Sequence, residues 1–228
     1  MLLNLDAGEL DTETEELWSL FDVLACACGG HAGDAISMAR VAAFCARSAH
    51  GSNHLVRLGA HPSYPDRAQF GRRSMTLEPR ELARQVAAQC GALAEAAATH
   101  GIGVLMVKPH GALYHDAARD PAIAGAVVHG AIAALGDAIV IIGPATGALA
   151  TETAASGLPY LQEGFADRRM RADGSLVPRS EPDALILDPA ECAAQARRLL
   201  AHVDTICVHG DTPNAIAIAR AVREVVHA

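Results

Sequence analysis

The sequence predicts an α/β protein in which a parallel sheet is covered by helices. Short apolar, β-branched runs alternate with Ala-rich segments of helical period, giving about seven βα units in 228 residues. The strand segments are apolar on both faces, which is typical of parallel strands packed between helices. Nearly every strand is followed by a polar cluster before its helix begins. Periodicity alone leaves an open doubly wound sheet and a closed barrel as alternatives.

Each element has its own local signal. Strands are predicted in the short apolar runs at residues 2–5, 21–28, 55–60, 102–107, 139–142, 159–162 and 205–208. Helices are predicted at residues 35–48, 78–100, 120–135, 146–156, 189–202 and 212–226, where apolar residues recur every three or four positions. Thr76 and Asp188 are predicted caps, Pro121 fits a first helical position, and Gly157 fits a helix end.

The units are predicted to form a single domain over residues 1–228, because no linker, low-complexity tract or fixed repeat divides the chain. The stretch at residues 164–188 is rich in Arg, Asp, Gly and Pro and is the one long irregular segment. A loop of this length in a compact domain is usually functional.

Composition excludes several classes of function. The net charge of −8 and the lack of a basic stripe argue against a nucleic-acid partner. No run approaches 18 apolar residues, so no membrane span is predicted. The acidic N-terminus lacks a signal-peptide pattern, and the six scattered cysteines fit free thiols, so a cytoplasmic protein is expected. Oligomeric state stays open, a homo-oligomer included.

The polar clusters after the strands are expected to meet, because parallel strands point their carboxyl ends to one face. Any single member is equally well explained as a helix cap or a turn residue, and Asp34 and Asp211 are placed to cap helices. Together they favour one site. Its candidate members are Asp6, Glu9, His31, His61, Lys108, His110, Glu163, Asp167, Arg168, His209 and Asp211.

Lys108 is the only lysine among 18 cationic side chains, the others being arginine. It lies between an apolar strand and His110. Lysine offers a compact ammonium that can be buried and whose pKa can shift, which arginine cannot match. The alternative is a chance survivor of an arginine-biased composition.

The residue types in the set indicate proton transfer. Carboxylates and imidazoles together perform general acid–base chemistry on water near neutral pH. Asp6, His31 and His61 are also candidates for a divalent metal site, although their spacing lacks the regularity of a His-Glu-x-x-His helix. Cys28 could be a nucleophile, but a buried thiol at a strand end fits better. Neither a Gly-x-x-x-x-Gly-Lys-Ser/Thr phosphate loop nor a Gly-x-Gly-x-x-Gly turn is present.

Several strings, in order along nearly the whole chain, resemble the LamB/YcsF family. They are His31-Ala32-Gly33-Asp34, Gly59-Ala60-His61-Pro62, Tyr64-Pro65-Asp66, Phe70-Gly71-Arg72-Arg73, Lys108-Pro109-His110-Gly111-Ala112-Leu113-Tyr114, Phe165-Ala166-Asp167-Arg168 and Val208-His209-Gly210-Asp211. The resemblance implies an irregular seven-stranded β/α barrel of the glycoside hydrolase/deacetylase type, which decides between the two architectures.

Characterised bacterial members of that family are the A subunits of ATP-dependent 5-oxoprolinases. The resemblance therefore implies hydrolysis of the lactam of 5-oxo-L-proline to L-glutamate, with ATP and its Mg²⁺ as co-substrate and subunits B and C as partners. Within it, Lys108 is interpreted as meeting anionic charge of the substrate carboxylate or a phosphoryl group. The residues interpreted as catalytic are Asp6, Glu9, Lys108 and Glu163. Those interpreted as substrate-binding are His31, His61, His110, Asp167, Arg168, His209 and Asp211.

The chain departs from the family pattern at six positions. They are Leu2 for Asp, Ala25 for Asn, Gly30 for Phe, Gln69 for Gly, His115 for Asn and Met170 for Tyr. Two alternatives to a 5-oxoprolinase component are therefore kept. One is a stand-alone metal-dependent hydrolase or deacetylase, and the other is a non-catalytic subunit that binds lactams.

Overall fold

The computed structural model describes residues 1–51, 54–171, 176–179 and 181–228 and contains a closed barrel of seven parallel strands. The strands are β1 (Leu2–Ala7), β2 (Val23–Ala27), β3 (Arg57–His61), β4 (Met106–Val107), β5 (Val140–Gly143), β6 (Tyr160–Phe165) and β7 (Thr205–His209). Neighbours along the chain pair in order, and β1 closes the barrel by pairing with β7. The structure thus confirms the barrel and excludes the open sheet.

Side chains alternate between the outer core and the barrel interior, as the period of a strand requires. Leu3 and Leu5 of β1 pack in the main hydrophobic core, so Asn4 and Asp6 face the interior. The register places Asp6 opposite His209 of β7. The interior therefore carries polar groups, which corrects the prediction that the strands are apolar on both faces.

Helices surround the barrel. They are α1 (Glu15–Trp18), α2 (Ala35–Gly51), α3 (Pro79–Ala98), α4 (Gly111–Arg119), α5 (Pro121–Leu135), α6 (Ala148–Ala155), α7 (Pro189–Leu199) and α8 (Ala215–Val226), with a short 3₁₀ helix at Arg67–Gln69. Asp120 and Asp188 cap α5 and α7, each accepting a hydrogen bond from a first-turn amide. The cap prediction at Asp188 and the Pro121 position are confirmed.

Other element predictions were wrong. Thr76 does not cap α3, which begins after Glu78 with Pro79 at its first position and no side-chain cap. Helix α4 was not predicted, because its sequence was interpreted only as a polar cluster after a strand. Strand β6 runs on to Phe165, so Glu163 lies inside the strand. Asp211 does not cap α8, whose N-cap is Asn214.

The long segment after β6 is partly within the described residues; residues 172–175 and 180 lie outside them. Its described parts contain two isolated antiparallel bridges, Arg168 to Leu185 and Met170 to Leu176. All six cysteines are buried as free thiols. Among the described residues, no helix has the length and apolar character needed to cross a membrane.

Candidate active site at the carboxyl end of the barrel

Lys108 follows β4 and lies at the centre of a buried ionic group. Its Nζ atom is 2.7 Å from Asp6 Oδ1 and 2.8 Å from Glu163 Oε1. It also contacts Asn4 Oδ1 at 3.0 Å and Cys207 Sγ at 3.2 Å. Two carboxylates therefore share one ammonium.

The charges of this group stabilise one another. Burial opposes ionisation of Asp6, but the charges of His61 and Lys108 outweigh it and hold the pKa of Asp6 well below its ordinary value. Burial also disfavours the ammonium, yet the Asp6 carboxylate raises the pKa of Lys108 well above the ordinary lysine value. The ammonium has three N–H donors, and four protein atoms already surround it. Lys108 thus holds Asp6 and Glu163 in place, and its interpretation as a binder of substrate anions stays a prediction.

Next to this group, Glu9 and three histidines form a second buried set, called here the His₃Glu cluster (Glu9, His31, His61 and His110). Glu9 Oε1 is 2.8 Å from His31 Nε2 and 3.1 Å from His110 Nδ1. His110 Nδ1 is 3.0 Å from His61 Nε2. The rings of His31 and His110 are stacked with centroids 3.6 Å apart. These residues lie at or after the carboxyl ends of four consecutive strands, β1 to β4, and the structure brings all four together as predicted.

Backbone groups orient two of these rings. His61 Nδ1 donates to the carbonyl oxygen of Lys108 at 2.7 Å, and His110 Nε2 donates to the carbonyl oxygen of Phe70 at 3.0 Å. Phe70 has φ 54°, a left-handed conformation that is costly for a bulky residue. Gly71 follows with φ +64°, and a Cβ there would lie 2.9 Å from His31 Cβ. The left-handed backbone of Phe70 and Gly71, and the missing side chain of Gly71, thus allow this turn to pack closely against the rings of His31 and His110.

Glu13, which lies outside the predicted set, holds the loop that carries Glu9. Its carboxylate accepts hydrogen bonds from the backbone amides of Gly8, Glu9 and Leu10 at 2.8, 2.9 and 3.0 Å. It also accepts one from the indole of Trp18 at 2.8 Å. The burial of a carboxylate inside a turn fixes the backbone from which Glu9 projects.

Asp167 and His209 form a dyad at the end of β7. The Asp167 carboxylate accepts from His209 Nδ1 at 2.9 Å, from the His209 amide at 2.9 Å and from Thr212 Oγ1 at 2.7 Å. Because Nδ1 donates to Asp167, neutral His209 presents its Nε2 lone pair towards Asp6 Oδ2, 3.9 Å away. Asp167 is fully buried and orients His209 through these hydrogen bonds, and its assignment to substrate binding stays a prediction.

Three arginines, Arg72, Arg168 and Arg179, lie close enough to influence one another electrostatically. Arg168 is buried and donates to the Val177 carbonyl oxygen at 2.8 Å, and its Nε atom has no hydrogen-bond partner among the described residues. Burial, together with the charge of Arg179, lowers the pKa of Arg168 to about 10. Asp211 accepts from Arg72 at 2.8 Å and from Arg179 at 2.7 Å. Asp211 thus ties two loops together across the end of the barrel.

We expect Asp211→Asn to lower the free energy of unfolding by about 1–3 kcal/mol near neutral pH. Burial raises the pKa of this carboxyl, but Arg179 outweighs it and leaves the pKa below its ordinary value. The contribution is therefore complete above the unfolded-state pKa of about 3.9 and is lost as pH falls through the lower folded-state pKa. Urea unfolding of both proteins at pH 7 and pH 3 measures the difference.

The matched control for Asp211 is Glu81, a surface carboxylate of α3 paired with Arg84. Glu81→Gln should change the free energy of unfolding much less than Asp211→Asn does, because solvent-screened surface pairs contribute little. Equal effects of the two substitutions would contradict the tie between loops.

Little open space adjoins the reactive groups. Lys108, His110 and Glu163 are each at most 5% exposed. A surface cavity of about 440 Å³ is lined by parts of residues 10–17 and 210–220 and does not include the His₃Glu cluster. Convergence of the predicted residues is confirmed, and they form a packed buried site at the barrel end.

Three supporting residues escaped sequence reasoning, namely Asn4, Glu13 and Cys207. The alternation Leu3-Asn4-Leu5-Asp6 is a signal that could have placed Asn4 beside Asp6 inside the barrel. Of the family departures, Gly30 has a structural account. A Cβ at Gly30 would lie 2.3 Å from Gln89 Oε1, and Gln89 bonds both the amide and the carbonyl of Ser63. The side chain of Gln89 thus occupies the space that a side chain at position 30 would need.

The sequence of this chain is similar to those of known proteins. The family profile described as LamB/YcsF family matches residues 2–228. A protein from Chloroflexus aggregans, named as the A subunit of 5-oxoprolinase, is 45% identical over 86% of this chain and 81% of its own length. One of the same name from Methylococcus capsulatus is 42% identical over 97% of this chain and 90% of its own length.

A solved structure shows the same fold. The crystal structure of a lactam utilization protein from Thermus thermophilus is 34% identical, with a TM-score of 0.87, and covers 100% of this chain and 96% of that protein. The match therefore extends over the barrel and the loops that carry the buried site. The chain belongs to the LamB/YcsF family.

Proposed function

We propose that this chain is the A subunit of an ATP-dependent 5-oxoprolinase that hydrolyses the lactam of 5-oxo-L-proline to L-glutamate. The observation that carries the proposal is its similarity, over most of both chains, to proteins named as the A subunit of 5-oxoprolinase. The buried acid–base site at the barrel end supports it. Subunits B and C, ATP with Mg²⁺ and a cytoplasmic location belong to this proposal.

The reaction explains the need for ATP. A five-membered lactam is unstrained and resonance-stabilised, so its carbonyl carbon is a poor electrophile and ring opening is uphill near neutral pH. Transfer of the terminal phosphoryl group of ATP to the lactam oxygen, with ADP leaving, makes that carbon reactive. Water then adds to the carbon, the C–N bond breaks with protonation of nitrogen, and phosphate is released.

Within this reaction we assign His209 as the general base for the attacking water. Its Nε2 is the free acceptor of a ring whose Nδ1 is held by Asp167, the arrangement by which a carboxylate fixes the tautomer and stabilises the imidazolium. Asp6 lies 3.9 Å from this nitrogen and is kept ionised by Lys108. Asp6, Glu9 and Glu163 remain the carboxylates proposed to handle protons, with Lys108 positioning two of them.

Arg168 is proposed to bind the carboxylate of 5-oxoproline. Asp6 and Glu163 share the ammonium of Lys108, so this side of the site offers no unpaired lysine to a substrate anion. Arg168 offers a buried guanidinium whose Nε donor has no partner within the described parts of the chain, and guanidinium groups bind carboxylates in paired hydrogen bonds. His31, His61, His110 and Asp211 complete the proposed binding surface.

The test is reconstitution with purified subunits B and C. We expect glutamate and ADP to form together from 5-oxoproline and ATP with all three subunits, and no turnover by this chain alone. Arms that omit ATP or one partner separate the alternatives. Glutamate formed without ATP favours a stand-alone hydrolase, and absence of glutamate with every component present contradicts the proposal.

A further inference from the structure

We propose that the His₃Glu cluster (Glu9, His31, His61 and His110) binds one divalent transition-metal ion. The inference does not depend on the proposed function, because it concerns the donor atoms alone. Each residue offers one ligand atom, and the four atoms lie within 4.8 Å of one another. The site lies at the carboxyl end of the barrel, beside Asp6 and Lys108.

The spacing of the donor atoms fits a single small cation. Metal–ligand distances near 2.0–2.2 Å put the corners of a tetrahedron roughly 3.4 Å apart. Glu9 Oε1 lies 3.1 Å from His110 Nδ1 and 3.7 Å from His61 Nε2, and the two imidazole nitrogens are 3.0 Å apart. Small movements would bring these three atoms to ligand positions, and the His31 ring would rotate out of its parallel stack on His110 to become the fourth ligand.

Hydrogen bonds to the backbone fix which ring nitrogens are free. A carbonyl oxygen can only accept, so His61 Nδ1 and His110 Nε2 must carry the protons that they donate to Lys108 and Phe70. In the neutral rings, His61 Nε2 and His110 Nδ1 then both present lone pairs, facing each other and the Glu9 carboxylate. At separations of 3.0 and 3.1 Å, these donors hold either a shared proton or a metal ion between them.

The same hydrogen bonds are the outer contacts of a metal site. Histidines that bind metals almost always donate their other ring N–H to a carbonyl or carboxylate, which orients the ring and raises its basicity. His61 and His110 both do so. His31 stacks on His110 and has no partner for Nδ1 among the described residues, so its orientation comes from ring packing and from Glu9.

The donor set selects the kind of metal. Three imidazoles and one carboxylate suit zinc, cobalt, nickel or iron, whereas Mg²⁺ prefers oxygen donors. The ion is therefore distinct from the Mg²⁺ that accompanies ATP. A second possible set, Asp6, Cys207 and His209, is less suited because Lys108 Nζ lies 2.7 Å from Asp6 and 3.2 Å from Cys207. A cation there would meet an ammonium.

Metal analysis of the full chain, purified without chelator or a histidine tag, is the first test. We expect close to one equivalent of a transition metal per chain by mass spectrometry of the elements. After chelation, reloading with cobalt(II) should give the visible absorption of a nitrogen-ligated ion and a rise in Tm. Mg²⁺ at the same concentration should give neither.

Variants locate the ion. His110→Gln and Glu9→Gln should each weaken zinc affinity at least tenfold in a competition titration with a chromophoric chelator. His209→Gln, which alters the second set, should retain wild-type affinity, as should His129→Gln at an exposed histidine. Circular dichroism spectra of all four variants are compared with the wild-type spectrum to check that each variant is folded.

Two outcomes would overturn the proposal. If wild-type protein takes up no transition metal on reloading, the cluster shares a proton among its donors and binds no ion. If His209→Gln loses the metal while Glu9→Gln and His110→Gln keep it, the ion belongs to the second set. Neither outcome depends on the 5-oxoprolinase assay.

Discussion

Lys108→Met should lower the free energy of unfolding by about 3–5 kcal/mol at pH 7. The substitution keeps the length and apolar stem of the side chain but leaves Asp6 and Glu163 buried without their shared cation. The loss of free energy should be far larger than for a surface ion pair, because the desolvation of two buried carboxylates is no longer offset by the charge of Lys108. Urea unfolding followed by circular dichroism gives the difference.

The effect of Lys108→Met should shrink as pH falls. In the wild type, the pKa of Asp6 is held below its ordinary value, so acid reduces stability as pH approaches that folded-state pKa. In the variant, Lys108 no longer opposes the effect of burial, so the pKa of Asp6 is higher than in the wild type. The folded variant therefore takes up a proton more readily, and its free energy of unfolding decreases less as pH falls. In the wild type the Asp6 contribution is lost as pH falls below the unfolded-state pKa of about 3.9. The two free energies of unfolding should therefore differ less at pH 3 than at pH 7.

Two further variants define the interaction. Lys108→Met combined with Glu163→Gln should recover part of the lost stability, because one buried charge is removed along with its partner. Lys108→Arg should also be poorly tolerated, since the larger planar guanidinium must fit where Asn4 and Cys207 lie within 3.2 Å of Nζ. A loss below about 1 kcal/mol for Lys108→Met would show that the ion group contributes little.

Much of the fold could be predicted from sequence, because its signals are local. Hydrophobic periodicity located all seven strands and most helices, and Pro121 and Asp188 marked helix starts that the structure confirms. Barrel closure depends on the pairing of β1 with β7, a contact between the chain's two ends. No local pattern encodes it, and family resemblance supplied it.

The site was predicted as a set of residues, but not as a set of contacts. The rule that strand ends converge brought Glu9 and the histidines together correctly. It could not reveal that the charge of Lys108 is already used by Asp6 and Glu163, or that Asp167 turns inward to hold His209. Those pairings are contacts of 2.7, 2.8 and 2.9 Å between side chains from different strands and loops. The spacing of residues along the chain carries no information about such distances.

Asp167→Asn should reduce kcat for glutamate formation by the assembled 5-oxoprolinase by about 10²–10⁴-fold, with a smaller change in KM. An amide can offer His209 Nδ1 either an acceptor or a donor. The donor orientation would place the imidazole proton on Nε2 and remove the lone pair proposed to accept the proton of water. Steady-state assays of the three-subunit complex measure both constants.

Thr212→Val is the matched control, because it removes one hydrogen bond to Asp167 and leaves the bonds to His209. It should keep kcat within about threefold, as expected for a change that leaves the base and its orienting carboxylate intact. A purely structural role for Asp167 predicts instead that both variants lose activity in proportion to their loss of stability. A base role predicts that Asp167→Asn and His209→Gln lose activity to a similar extent and together lose little more, because residues that act as a unit are not additive.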